Sequence, residues 1–297
     1  MNLSQTPFAP LSAHLLDLLR QLEGSGVEPT LAGGFGLFLR REWIAETQAE
    51  TLIQPIPEAR STEDFDLLLS LAVLADTDKS QALMNALDAL GYEVLPSALR
   101  FQFKKAGTAW GQSRDVKIDL LAPLPPEGDA VLEADQVRVK RRKGGSPLHG
   151  RVTPEAILVE ERRMEVSLEG DCPDGRFYSG RVWLPNPLTL YVMKLFAFRD
   201  REVGGRGGPE PDYARKHAAD LYTLTALLRQ PDYDDALELA RQNRDDSVLK
   251  EARQVVGQYF ADENSTGVLR VREQPNFSAT DLPRFVQVLE QIFTERV

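Results

Sequence analysis

Three aspartates stand in short apolar segments, at positions where their carboxylates could hold metal ions. Asp64 and Asp66 lie two residues apart, so in a strand both point to one face, while Phe65 and Leu67 point into a core. Asp119 occupies a second apolar segment of the same kind. A cation relieves the repulsion between such acids, and oxygen ligands at this spacing suit Mg²⁺. The three acids predict a two-ion site that orients a triphosphate and lowers the pKa of an attacking hydroxyl. A solvent-exposed acidic strand face is the alternative for the first pair.

A pair of glycines precedes these acids in the chain. Residues 27–32 predict a strand, Gly33 and Gly34 a turn, and residues 37–43 a helix. Glycine lets the backbone approach a ligand closely, and the free N–H groups of a helix N-terminus favour an anion. The order therefore predicts a phosphate cradle, with a simple tight turn as the alternative. It matches neither a dinucleotide fingerprint, because Leu39 stands where a small residue is required, nor a P-loop.

Three motifs together carry a family resemblance: Gly33-Gly34, Arg60-x-Thr62-x-Asp64-x-Asp66 and Lys117-x-Asp119. Their order resembles the nucleotidyltransferase superfamily typified by polymerase-beta-like enzymes. The arginine and threonine before the acid pair are similar to those of AbiEii-type toxins of bacterial type IV toxin–antitoxin systems. The resemblance implies transfer of a nucleoside monophosphate from a nucleoside triphosphate to an acceptor hydroxyl, with release of pyrophosphate. It implies a tRNA 3′ end as acceptor, a role as toxin or defence effector, and an antitoxin protein as partner.

The resemblance also implies roles for individual residues. Asp64, Asp66 and Asp119 hold Mg²⁺, and Asp119 or its metal activates the acceptor hydroxyl. The nucleotide-binding set it implies is Gly33, Gly34, Arg60, Thr62, Lys117 and Arg201. Arg60 could equally pair with an acid. The 30 positions between Gly34 and Asp64 exceed the usual connection of the superfamily, and residues 51–59 are typical of an inserted loop.

The second half of the chain extends the resemblance. Asn186-Pro187 predicts the start of a helix over residues 188–202, which carries Lys194 and Arg201 on one face. A following helix carries Lys216 and Asp220. The resemblance implies that Lys194 is a triphosphate cation and that Asp220 is an essential acid positioning Lys194 or the acceptor. The alternative is that Lys194 or Asp220 forms half of an ion pair between helices.

Composition limits the class of protein. The chain has 297 residues, 42% hydrophobic and 27% charged, which is ordinary for a soluble globular protein. One cysteine excludes an internal disulfide, and with only three histidines a structural zinc site is not expected. No apolar run is long enough to cross a membrane, and the first residues do not resemble a signal peptide. We therefore expect a cytoplasmic protein with no membrane partner.

The order of elements predicts an α+β fold with two domains. Residues 10–23 and 79–90 have helical spacing of apolar residues, and short strands follow the second of these segments. A small mixed sheet with helices on one side fits a nucleotidyltransferase core over residues 1–185. Residues 186–297 predict a helical C-terminal domain, and we expect the active site in a cleft between the two domains.

Five basic residues are concentrated in residues 138–143 of an otherwise acidic chain with a net charge of -10. They predict either a solvated strand end or a contact for an RNA backbone or triphosphate. Two other functions remain open. A small-molecule nucleotidyltransferase acting on an aminoglycoside-like cation suits the net charge but not the basic cluster. A catalytically idle module that binds a nucleotide or partner is disfavoured by the three acids.

Overall fold

The structure is a computed structural model that describes residues 1–58, 62, 64–97, 99–109, 112–145, 147–204, 208–275 and 277–294. It divides into two compact units, Met1–Gly36 with Ser61–Pro185, and Leu37–Arg60 with Asn186–Val297. The α+β class is confirmed, since a mixed sheet and helices make up the described residues. Residues 37–60 group with the second unit, although the sequence analysis assigned them to the first domain.

In its described residues the first unit contains a sheet and three helices, and a fourth helix starts in it. The described strands are β1 (Thr30–Ala32), β2 (Asp64–Leu68), β3 (Glu93–Val94), β4 (Gln102–Ala109), β5 (Gln112–Ala122), β6 (Leu132–Ala134), β7 (Arg138–Arg141), β8 (Gly150–Val152), β9 (Met164–Asp171) and β10 (Phe177–Leu184). The helices are α1 (Ala9–Gln21), α3 (Leu71–Ala75) and α4 (Thr77–Ala89). The helix α2 (Gly33–Thr47) begins in the first unit and continues into the second. The predicted helices over 10–23 and 79–90 correspond to α1 and α4.

Within the described residues the ten strands form one mixed sheet in the order β6-β7-β8-β5-β2-β1-β10-β9, and β3 and β4 branch from β5. Strand β5 runs parallel to β2 and β8 and antiparallel to β4. The expected small sheet is therefore wrong in size. Several strands have only two to four residues, which is too short for an alternating pattern to show in the sequence.

One face of this sheet forms the core of the first unit. Leu31 pairs with Leu67, and Phe65 and Leu67 pair with Ile118 and Leu120 on β5. All five side chains are at most 2% exposed. Helix α1 packs against β9 and β10, and α3 packs against β7. Because side chains alternate along a strand, the residues between these apolar ones project from the opposite face.

The second unit is helical. Its described helices are α5 (Pro187–Val203), α6 (Pro211–Ala226), α7 (Gln230–Gln242), α8 (Ser247–Tyr259), α9 (Thr266–Arg272) and α10 (Leu282–Phe293). Asn186 accepts a hydrogen bond from the backbone N–H of Thr189 at 2.9 Å and so caps α5, as its sequence predicts. Helices α5 and α6 pack along each other. Among the described residues, no helix has both the length and the apolar character needed to cross a bilayer.

Candidate active site

The three predicted acids come together on the sheet face opposite the core. In the parallel pairing of β2 with β5, Asp66 stands directly beside Asp119, and Asp64 stands beside Lys117. Asp64, Asp66 and Asp119 are all partly exposed, whereas their chain neighbours Phe65 and Ile118 are fully buried. The alternation of apolar and acidic residues thus fixes the direction of all three carboxylates, because reversing it would expose the core.

The glycine turn lies directly against one of these acids. Ala32, the last residue of β1, pairs with Asp66, so the 30-residue interval does not separate the turn from the acid pair. Gly33 has a φ of +65°, and a Cβ at this position would overlap the Asp66 carboxylate. Glycine is therefore required for both conformation and space. The Asp66 carboxylate lies beside the first residue of α2, where the helix dipole favours negative charge.

Thr62 holds the first acid of the pair. Its side chain is 5% exposed, and its Oγ1 donates a hydrogen bond of 2.8 Å to Oδ1 of Asp64. This bond restricts the rotation of the Asp64 carboxylate and leaves Oδ2 as the other acceptor. Thr62 therefore contacts an acid, whereas the family resemblance implied contact with the nucleotide. Arg60, the other predicted binding residue of this motif, lies outside the described residues.

The surroundings of Asp119 raise the pKa of its carboxyl group. Burial raises the pKa of its carboxyl group, a hydrogen bond from the Gln102 side chain opposes the rise, and the negative charge of Asp64 adds to it. The positive charges of Arg151 and Lys117 also oppose the rise. Gln102 stands directly opposite Asp119 in the antiparallel pairing of β4 with β5. A partly buried carboxylate with another close by is the condition that a bound cation relieves.

Basic side chains flank the acids on the same sheet face. Lys117 on β5 is directly opposite Lys104 on β4, and Lys104 forms an exposed ion pair of 3.5 Å with Asp115. On the other side, Arg151 on β8 pairs in register with Leu121, two residues beyond Asp119. The face therefore alternates acidic and basic side chains, an arrangement that suits a ligand carrying both metal ions and phosphates.

The donor set fits a divalent ion, but the side chains are not already arranged around one. Among the residues that the structure describes, no three His, Cys, Asp or Glu side chains are grouped closely enough to hold a metal ion. The hydrogen bond from Thr62 and the packing of Asp66 on Gly33 hold two of the carboxylates in their present orientations. Ion binding would therefore require rotation of side chains, on strands whose register already puts Asp66 next to Asp119.

The remaining predicted residues belong to the second unit. Lys194 Nζ lies 2.6 Å from Oδ2 of Asp220, and the two side chains are 9% and 3% exposed. This contact joins α5 to α6 and is the helix-to-helix ion pair that the sequence left open as an alternative. Arg201 instead pairs with Glu210 on the surface and stacks on the Tyr213 ring. Lys216 contacts the same ring. The structure therefore brings Lys194 and Asp220 together and gives Arg201 a separate partner.

Three of the five basic residues in 138–143 pair with two acids of the same hairpin. Lys140 and Arg142 both lie within 3.4 Å of the Glu133 carboxylate on β6, and Arg138 pairs with Asp135 at 2.9 Å. Such exposed pairs contribute little stability, but they reduce the local positive charge. This arrangement agrees better with a solvated strand end than with a dedicated contact for an RNA backbone.

Two residues of this face were missed by sequence reasoning, namely Gln102 and Arg151. Gln102-x-Lys104 on β4 and Lys117-x-Asp119 on β5 show the same two-residue spacing, which was the available signal. It becomes informative only once the pairing of Ala109 with Gln112 fixes the register of the two strands. Arg151 lies in a three-residue strand with no pattern that could have been recognised.

Comparison with known proteins found no family model that matches the chain and no curated protein similar to it.

Proposed function

We propose that the protein is a metal-dependent nucleotidyltransferase that moves a nucleoside monophosphate from a nucleoside triphosphate to an acceptor hydroxyl and releases pyrophosphate. The observation that carries the proposal is the direct pairing of Asp66 with Asp119, beside Asp64 and against Gly33. Three carboxylates at neighbouring strand positions repel one another without a cation. The family resemblance of the motifs points to the same chemistry.

The described site residues that the sequence predicted in the first unit each have a role in this proposal. Asp64 and Asp66 would bind metal after rotation of their side chains, and the hydrogen bond from Thr62 to Oδ1 of Asp64 leaves Oδ2 as the oxygen for the ion. Asp119 would bind metal, and its position beside Asp66 on the acidic face makes it the proposed acceptor of the proton of the acceptor hydroxyl. Lys117, exposed beside Asp64, attracts the phosphates of the nucleotide. The nucleotide-binding role of Gly33 and Gly34 rests on the resemblance, because the space beside Gly33 holds the Asp66 carboxylate.

A bound Mg²⁺ pair would neutralise phosphate charge and lower the pKa of the attacking hydroxyl. The protein's own contribution is positioning and electrostatic stabilisation, which are the main requirements of phosphoryl and nucleotidyl transfer. The roles proposed for Lys194, Asp220 and Arg201 rest on the resemblance. For Asp220, the 2.6 Å contact with Lys194 supports a positioning role.

The proposed acceptor is the 3′ end of a tRNA, and the proposed physiological role is that of a toxin or defence effector with an antitoxin partner. A small cationic acceptor such as an aminoglycoside is the second candidate. It is favoured by the net charge of -10 and by the pairing of Lys140 and Arg142 with Glu133, which offsets part of the positive charge expected to attract RNA.

Incubation with Mg²⁺ and each α-labelled nucleoside triphosphate in turn tests the proposal. One set of reactions contains total tRNA and another an aminoglycoside mixture. Label in tRNA identifies RNA as the acceptor, and label in the small molecule identifies the second candidate. Asp66→Asn is expected to lower transfer by about a thousandfold or more, as loss of a residue that acts as part of a catalytic unit does.

Asp88→Asn is the matched control, because it removes one exposed carboxylate from α4 and should leave transfer unchanged. No label in tRNA, small molecules or the protein itself, under conditions where the protein still binds divalent ions and nucleotide, would refute transfer and favour the idle binding module.

A further inference from the structure

An arginine pair lies on the same sheet face as the acids and has no role in the mechanism above. Arg151 on β8 and Arg138 on β7 are direct partners in an antiparallel pairing. Their strands continue the sheet beyond β5, on the side away from β2. Two like charges directly opposite each other on a sheet are unfavourable unless something compensates them.

Carboxylates of the protein compensate only part of the positive charge of this arginine pair. Arg138 forms an ion pair of 2.9 Å with the exposed Asp135, and its Nη1 lies 3.4 Å from Nδ1 of His149. Arg151 is exposed, and in the described part of the chain no carboxylate lies within ion-pair distance of its guanidinium. One guanidinium of the pair is therefore open to an outside anion.

Arg151 is also close to the reacting centre. It stands beside Leu121 on β5, two residues from Asp119, and its charge is near enough to favour the ionised form of Asp119. With strands about 4.8 Å apart and about 3.3 Å per residue, the Cα atoms of Arg151 and Asp119 are about 8 Å apart. A phosphate group held at Asp119 would therefore be within reach of a long arginine side chain.

We infer that Arg151, supported by Arg138, is an anion subsite that binds phosphate groups next to the three acids. Arginine suits this role because its planar fork can bind two phosphate oxygens at once. The inference rests on the proposed function, since the phosphates belong either to the nucleoside triphosphate or to the backbone of an RNA acceptor.

Calorimetric titration with inorganic tripolyphosphate in the presence of Mg²⁺ tests the subsite without requiring catalysis. Arg151→Gln should weaken binding about tenfold, because one charge-assisted contact is lost. Arg151→Lys should recover part of the affinity, since it keeps the charge but not the fork. Arg181→Gln is the matched control: Arg181 is a strand arginine on β10, 70% exposed and paired with Glu165, and its removal should change nothing.

A parallel titration with a short single-stranded RNA distinguishes the two sources of phosphate. Weakened tripolyphosphate binding with unchanged RNA binding assigns the subsite to the nucleotide, and the reverse result assigns it to the acceptor. If Arg151→Gln binds both probes as the unmodified protein does, or if the unmodified protein binds neither, the subsite is refuted. If the protein transfers no label but its tripolyphosphate binding depends on Arg151, the subsite stands and the proposed transferase function does not.

Discussion

The helical unit and the acid cluster of the first unit arrange their charges in opposite ways. In the second unit the ion pair of Lys194 with Asp220 matches opposite charges at 2.6 Å, and Asp232 lies between Arg229 and Arg40 at 2.8 Å and 3.3 Å. In the first unit Asp66 and Asp119 are neighbours of the same sign. Matched buried charges tie helices together, whereas crowded like charges lower the stability of the free protein.

This difference separates a structural use of charge from the metal-binding use that we propose for the acids. Burial alone would raise the pKa of Asp232, but hydrogen bonds from Arg229 and the charge of Arg40 outweigh it and hold the pKa below its ordinary value. The pKa of Asp119 moves the other way, because burial and Asp64 together outweigh the opposing contacts. Active sites commonly keep such unfavourable arrangements because the ligand completes them.

The largest expected effect on stability is at Asp232. Asp232→Ala leaves the Arg40 guanidinium, which is 2% exposed, without its carboxylate. Breaking a buried ion pair on one side costs about 3–5 kcal/mol, so urea unfolding should show a marked loss of stability. Asp234→Ala, an exposed residue of the same helix, is the control and should change stability by less than about 0.5 kcal/mol.

The lowered pKa of Asp232 also predicts that the protein loses stability at acid pH. The pKa of Asp232 is lowered in the folded state, so its stabilising contribution is complete above the ordinary aspartate pKa of about 3.9. That contribution is lost as the pH falls through the lowered pKa. Unfolding of the unmodified protein followed from pH 5 to pH 2 should show this loss, and Asp232→Ala should not. If the stability of the two proteins changes with pH in the same way, the prediction for Asp232 is wrong.

The next largest effect on stability is expected at Lys194 and Asp220 and can be measured by a double-mutant cycle. Either single change, Lys194→Met or Asp220→Leu, should destabilise the protein by about 3 kcal/mol, because it removes one side of the buried contact between these residues. The double variant should be more stable than either single variant, since both charges are removed. Strictly additive losses in urea unfolding would mean that the two side chains do not act as a pair.

Asp119→Asn should have a smaller effect on stability and should stabilise the protein. It removes a partly buried charge next to Asp64 and Asp66, so the metal-free protein should gain about 1 kcal/mol at neutral pH while transfer is lost. The sign follows from the raised pKa: the folded state favours the protonated acid, so stability falls as the pH rises through that pKa. Asp119→Asn should lack this fall. A variant less stable than the unmodified protein at neutral pH would contradict the repulsion argument.

The smallest expected effect is at the basic strand. Lys140→Gln removes a charge that already pairs with Glu133, so we expect less than about a twofold change in RNA affinity. A much larger loss, measured by fluorescence anisotropy at fixed salt, would restore the RNA-contact interpretation of residues 138–143.

Local patterns in the sequence predicted the elements that carry the acids. The alternation around Phe65 was enough to place Asp64 and Asp66 on one face of a strand. Helix α2 begins at Gly33, four residues before the predicted start, and its closeness to Asp66 is known only from the pairing of β1 with β2. The size of the sheet could not be predicted, because strands such as β6 and β8 have three residues each.

The pairing of strands that are distant in the chain could not be predicted from the sequence either. That Gln102 lies opposite Asp119, and Arg151 two residues beyond it, depends on strand register, which is set by contacts between residues distant in the chain. For the same reason the pairing of the basic strand with Glu133 could not be foreseen, and the helical spacing of Lys194 and Asp220 left an ion pair as only one of two interpretations.

The most direct test of the acid cluster is Mn²⁺ binding measured by electron paramagnetic resonance, using the metal-free protein, Asp119→Asn and the control Asp88→Asn. We expect the unmodified protein and Asp88→Asn to bind Mn²⁺ with the same affinity and Asp119→Asn to bind at least about tenfold more weakly. An unmodified protein that binds no Mn²⁺, or an Asp119→Asn variant with unchanged affinity, would contradict the assignment of Asp64, Asp66 and Asp119 as a metal site.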